Sequence, residues 1–134
     1  MLTYGDAVGD VDMEELLECH KKSGKLVTMS VYNFGQSKGV IDFNPDGSVK
    51  AFREKSDLDG DLINIGFMVC EPEVFNYIHD DVTPFESGAL KQLVEEGQVN
   101  AYVHKGFWQC MDTQREMKYL IELWEKGNAP WKRW

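Results

Sequence analysis

Apolar and polar positions alternate along the chain in two periods, and the periods mark out the elements. Residues 1–4 form a short apolar run closed by Gly5-Asp6, which predicts the tail of a strand entering a loop. Asp12, with Glu15 three residues on, predicts a helix N-terminus with a capping-box partner. Met13, Leu16, Leu17 and His20 then recur at helical spacing. Lys21 and Lys22 suit the negative end of the helix dipole, and Gly24 ends it. Residues 26–31 are β-rich and mostly apolar. Strand, helix and strand in this order predict a right-handed crossover between parallel strands.

Further on, 40–43 and 48–52 flank Asn44-Pro45-Asp46-Gly47, a hairpin turn in which proline sets one φ and glycine admits a positive one. Residues 62–70 read as a largely buried strand. Pro72 opens a short helix through 78. A second helix is expected over 84–96, closed by Gly97, and a strand over 99–104. The clearest helix runs over 113–126, where Met117, Leu120, Ile121 and Trp124 make one apolar stripe and Gly127 stops it. Parallel units with an inserted hairpin predict an α/β fold with a mixed sheet. No repeat, low-complexity tract or linker interrupts the 134 residues, so one domain over 1–134 is expected.

Charge narrows the choice of partners. The net charge of −9 argues against nucleic acid or anionic membrane held by bulk electrostatics, though a phosphate site needs only a few local cations or a metal. No apolar run reaches membrane-spanning length, and the N-terminus lacks the pattern of a signal peptide. Cys19, Cys70 and Cys110 are odd in number and widely spaced, which fits reduced thiols in a cytoplasmic protein.

Few side chains carry chemistry. Asp6 follows a glycine at a strand end, where ligands collect in open α/β sheets, so it is a candidate metal ligand; with Asp10 it reads equally as a turn former. Asp112 immediately precedes the strongest helix and is either a second ligand or, with Thr113, an N-cap. Lys55 can meet a phosphate oxygen as a point charge, and Glu54 can accept from sugar hydroxyls; the alternative for the pair is a solvated surface. Asn64 sits within an apolar strand, so its amide is either a structural bridge or a sugar ligand. His20 lies on an apolar helix face, as core histidines do. His20, His79 and His104 share no metal-ligand spacing.

Order and spacing join these signals. Tyr4-Gly5-Asp6 is similar to the metal-binding strand end of the sugar-1-phosphate nucleotidyltransferases. Phe52-Arg53-Glu54-Lys55 is similar to their F-x-E-K element, and Ile63-Asn64-Ile65-Gly66-Phe67 to I-N-G-G-F. Phe107-Trp108-Gln109-Cys110-Met111-Asp112-Thr113 resembles F-W-Q-P-M-D-T, and Ala129-Pro130-Trp131-Lys132 resembles the ending of members that join CTP to glucose 1-phosphate. The resemblance spans the whole chain and corresponds to the C-terminal half of such an enzyme. It implies a Rossmann-like nucleotidyltransferase mixed sheet with flanking helices. It also implies Mg²⁺ held by Asp6 and Asp112 as catalytic and metal residues, and sugar phosphate held by Glu54, Lys55 and Asn64. The products would be CDP-glucose and pyrophosphate.

The family's G-G-x-G-T-R and P-K-P segments have no match here, Ile65 stands where the family has glycine, and Cys110 where it has proline. The expectation is therefore a nucleotidyltransferase-derived chain, either a fragment, one part of a split enzyme whose nucleotide-binding half a separate chain supplies, or the product of a truncated gene; the alternative is a non-catalytic sugar-phosphate-binding or oligomerising module that keeps the fold. Loss of the strands and helices of the other half also predicts a homo-oligomer, with contact at strands 1–4 and 26–31.

Overall fold

The computed structural model describes residues 1–33, 40–46, 48–53 and 62–134; over 40–43 and 49–53 it gives only the course of the backbone. Two compact units are present, one of residues 1–32 with 64–134 and one of 33–63.

The smaller unit carries β3 (Val40–Phe43) and β4 (Val49–Arg53), an antiparallel hairpin in which Val40 faces Arg53 and the register shifts between Asp42 and Phe43. Its turn is organised by Asp46, whose carboxylate accepts from the backbone N–H of Ser48 at 2.9 Å.

The larger unit holds two small sheets. The three-stranded sheet has β2 (Val27–Asn33) in the centre, with β5 (Leu62–Cys70) on one side and β6 (Val99–His104) on the other. β2 and β6 are parallel, Val27 facing Val99 through Tyr32 facing His104. β1 (Ala7–Gly9) and β7 (Trp108–Cys110) pair antiparallel in a sheet of their own, with Ala7 opposite Cys110.

That arrangement corrects two expectations. The run 1–4 forms a single antiparallel bridge, Leu2 to Met68, rather than a strand. The strand before the first helix, β1, does not lie beside β2, so no parallel crossover joins them; the parallel partner of β2 is β6. The physical cause is tertiary: short apolar runs identify strands but carry no information about partners. Residues 26–31 are also not an open edge, because β2 has a neighbour on each side. Val27, Thr28 and Ser30 are completely buried.

α1 (Met13–Ser23) starts at Asp12, whose side chain accepts from the backbone N–H groups of Glu14 and Glu15, both at 3.0 Å, and Gly24 caps it in the left-handed region; the expected return bond from Glu15 is not made, its carboxylate accepting from the Tyr102 hydroxyl at 2.9 Å instead. His20 is the expected core histidine: 2% exposed, it bonds Thr28 Oγ1 at 3.0 Å and Glu71 Oε1 at 2.9 Å. A short 3₁₀ helix (Pro72–Tyr77) follows β5. α2 (Ala89–Glu95) is shorter than the expected 84–96, because residues 84–88 form turns, with Gly88 N–H on the carbonyl of Pro84. Ser87-Gly88 disfavours an earlier start. α3 (Gln114–Glu125) ends the fold.

The core brings Val27, Met68, Val74, Leu90 and Leu93 together, with Leu2, Tyr4 and Phe85 packed against it. The N-terminal segment is therefore anchored to the core although it forms no strand. No helix among the described residues is long and apolar enough to cross a membrane.

Candidate functional site

The two candidate aspartates stand at one end of the β1–β7 ribbon. β1 begins one residue after Asp6, and β7 ends two residues before Asp112. The carbonyl of Asp6 accepts from the backbone N–H of Met111 at 2.8 Å, which extends the ladder by one step and holds Asp6 beside the residue that precedes Asp112. Both aspartates are exposed. Antiparallel pairing thus brings together segments more than a hundred residues apart in sequence.

Asp112 is not the helix cap. That role belongs to Thr113, which accepts from Glu116 N–H at 3.2 Å, while Glu116 Oε2 accepts from Thr113 N–H at 2.8 Å and from Asp112 N–H at 3.0 Å. The capping box therefore leaves the Asp112 carboxylate out of the capping bonds. The Thr113 hydroxyl, which donates to Glu116 Oε2 at 2.9 Å, and then the backbone bonds hold Glu116 below the usual carboxylate range.

Beside Asp112 lies Cys110. Its thiol donates to Glu116 Oε1 at 3.5 Å. Burial, then hydrogen bonding to Asp112 and the charge of Glu116, push it up to about 11. Ligand atoms of Cys110, Asp112 and Glu116 lie within 4.8 Å of one another. Mg²⁺ takes oxygen ligands, commonly one or two carboxylates plus substrate phosphates. The donor chemistry fits that requirement: Asp6 and Asp112 offer exposed carboxylates on paired segments. Glu116 is already engaged on both oxygens. Sequence reasoning did not find Cys110 and Glu116 as neighbours of Asp112, although the Thr113…Glu116 spacing is a capping-box signal.

Asn64 is engaged by its own chain. Its Oδ1 accepts from Gly66 N–H at 2.9 Å and its Nδ2 donates to Tyr4 Oη at 3.1 Å, so at most one N–H is left for a ligand. Of the two readings of this amide, the structural bridge is the one seen. Tyr4 in turn donates to Glu86 Oε1. Burial first, then Glu86, push the Tyr4 phenol up to about 12, and the same bond holds Glu86 below its usual range. Glu54 and Lys55 lie outside the described residues.

Asp10 takes the turn-forming role. Its carboxylate accepts from Phe107 N–H at 2.6 Å and pairs with the buried His104 at 3.1 Å. A Cβ on Gly106 would lie 2.2 Å from Asp10 Oδ1, so a side chain at that position would break this lock. Arg133 donates to the carbonyl of Asp10 at 2.7 Å, tying the C-terminus to the same place. No spacing in the sequence announces the pair between Asp10 and His104. A cleft of about 370 Å³ is lined here by Asp10, Asp12, Glu15, Tyr102, Lys105 and Arg133 among others. Another, of about 340 Å³, lies between Tyr77, His79, Phe85 and Gln92. Neither includes Asp6 or Asp112; the first sets the carboxylates of Asp10, Asp12 and Glu15 beside the cations Lys105 and Arg133.

Comparison with known proteins gives a consistent picture. Residues 1–120 match the model of the nucleotidyl transferase family. The chain is 42% identical over 134 residues to glucose-1-phosphate cytidylyltransferase of Salmonella typhimurium, covering all of this chain and 52% of that protein. It is 35% identical over 135 residues to the probable glucose-1-phosphate cytidylyltransferase of Bacillus subtilis, again over all of this chain and 52% of that protein. The chain thus spans about half the length of the curated relatives it matches. Among solved structures, HddC from Yersinia pseudotuberculosis superposes with a TM-score of 0.59 at 18% identity, over 92% of this chain and 55% of that one. That likeness concerns the fold, a mixed α/β sheet with flanking helices.

Proposed function

The chain belongs to the nucleotidyl transferase family, and from that premise we propose that it forms the sugar-phosphate and metal side of a glucose-1-phosphate cytidylyltransferase, corresponding to the C-terminal half of such an enzyme and working in the cytoplasm. The observation that carries the reading is the bond from Met111 N–H to the carbonyl of Asp6, which sets the two aspartate-bearing segments side by side.

In the proposed reaction an oxygen of glucose 1-phosphate attacks the α-phosphorus of CTP, and pyrophosphate leaves. Asp6 and Asp112 hold Mg²⁺, which when bound offsets charge developing on the phosphates. Lys55 grips the sugar phosphate as a point charge, Glu54 accepts from sugar hydroxyls, and Asn64 contributes at most one N–H to the sugar. The nucleotide-binding cations come from the other half of the family's length, in this chain's partner or continuation.

Calorimetric titration with glucose 1-phosphate and with CTP, each with Mg²⁺, tests the proposal. Binding of the sugar phosphate is expected. Binding of neither ligand overturns the reading, and sugar phosphate binding without CTP binding supports a half-site completed elsewhere. Lys55→Ala is expected to weaken sugar phosphate binding by about one to two decades, the worth of one charged hydrogen bond. Lys132→Ala should leave it near the wild-type value, since the Lys132 ammonium lies 4.8 Å over the Trp124 ring. Equal affinities for the two variants would remove Lys55 from the site.

A further inference from the structure

Resting on the reading of Asp6 as a metal ligand, we propose that Tyr4 is its positioning residue, through a clamp formed by Asn64, Gly66 and Glu86. Residues 1–6 do not form a strand, and only the carbonyl of Asp6 reaches the β1–β7 ladder, so the backbone on the N-terminal side of Asp6 needs anchors of its own. One anchor is Leu2, which exchanges two backbone hydrogen bonds with Met68, each 2.9 Å. The other is the side chain of Tyr4. Its ring lies flush on Gly66, where a Cβ would sit 2.6 Å from Tyr4 Cδ2, closer than any real contact. The phenol oxygen accepts from Asn64 Nδ2 at 3.1 Å and donates to Glu86. Asn64 is itself held by Gly66 N–H at 2.9 Å.

The phenol is thus held from two directions, by β5 and by the turn before α2, and the ring is seated on the backbone of β5. Two residues later the carbonyl of Asp6 is taken up by Met111. Asp6 therefore lies between two fixed points, the Tyr4 clamp and the start of the β1–β7 ladder. Exposed carboxylates on a free segment would lose conformational entropy on gathering around a cation. A clamped segment has already lost it in folding. Groups that orient a metal ligand typically contribute about 10-fold to 100-fold in metal affinity. The clamp also gives Glu86 and Asn64 a role that needs no contact with substrate.

The test is Mn²⁺ titration followed by electron paramagnetic resonance, with a thermal midpoint for every variant. The set is the full chain as wild type, Asp6→Asn, Tyr4→Phe, Glu86→Gln, Tyr4→Phe with Glu86→Gln, and Leu93→Ala. Tyr4→Phe keeps the ring on Gly66 and removes only the hydroxyl. It is expected to weaken Mn²⁺ binding about tenfold. Glu86→Gln, which keeps an acceptor oxygen and removes the charge, should act in the same direction but less, and the double variant should be no weaker than Tyr4→Phe, which has already removed the phenol's bonds to both Asn64 and Glu86. Leu93→Ala, in the core, should lower the midpoint and leave Mn²⁺ affinity unchanged.

Mn²⁺ affinity within twofold of wild type for Tyr4→Phe, with binding lost in Asp6→Asn, overturns the clamp and leaves Asp6 as a ligand. Unchanged affinity in Asp6→Asn removes both the ligand assignment and the clamp that depends on it. Affinity that follows the thermal midpoint across the whole set, Leu93→Ala included, shows a purely structural role and also overturns the proposal.

Discussion

At the scale of single residues, side chains that looked independent in sequence prove to be bonded to one another. Gly66 adopts φ +83°, in the left-handed region, and carries the ring of Tyr4 on its face. Gly66→Ala combines backbone strain with a steric overlap, so a loss of at least about 1–2 kcal/mol is expected. Denaturant titration checks it; an unchanged midpoint would mean that the segment 1–6 moves away without cost. Tyr4 and Tyr102 are both pushed from about 10 to about 12, burial being the first cause in each, with Glu86 and Glu15 the acceptors. A pKa raised in the folded chain favours the folded state while the phenol is neutral. Their contribution is therefore complete below about pH 10 and is lost as pH rises towards 12. Absorbance titration should show these two phenols ionising last, with stability falling over the same window. Ionisation of every tyrosine near pH 10 in the folded protein would count against both bonds.

Elements formed where local signals agreed with tertiary demands. α3 is the clearest case: Thr113 and Glu116 make both halves of the capping box, and Leu120 is its buried position. Thr113→Ala removes an acceptor for the first turn and is expected to cost about 0.5–2 kcal/mol, measured as a shift in the unfolding midpoint. Serine at this position should restore most of it. If the shift for Thr113→Ala is absent, Glu116 alone holds the helix start. The expected 84–96 helix shows the opposite balance, with Gly88 and the turn bonds before it restricting the regular part to Ala89–Glu95. Part of the α3 apolar stripe stays open to solvent: Ile121 is 47% and Trp124 49% exposed.

At the scale of the whole molecule, association of copies remains the expectation, but its location changes. β2 is central, so Leu26→Lys would perturb the interior of the unit rather than an open edge. Light scattering across a dilution series is the direct measurement, and a dimer or larger assembly is the expected outcome. A monomer at every concentration would remove the oligomer from the proposal. The net charge of −9 opposes association, but its reach at physiological salt is about 8 Å, so added salt should favour the assembly rather than disperse it.

Local chemistry written in neighbouring residues was legible without coordinates. The Asp12 cap, the strands Leu62–Cys70 and Val99–His104, and the core placement of His20 all depend on periodicity or on groups a few residues apart. The order of the motifs likewise marked the family. Partner choice was not legible. That β1 joins β7 rather than β2, that Asn64 is held by Tyr4, and that Asp10 locks the turn at Gly106 are pairings across 60 to about 100 residues. A strand's pattern states which face is buried but not which strand lies beside it, and a lone amide or carboxylate carries no record of its partner. Only the closing of the chain around its core decides those bonds, and with them the pairing of Asp6 with Met111.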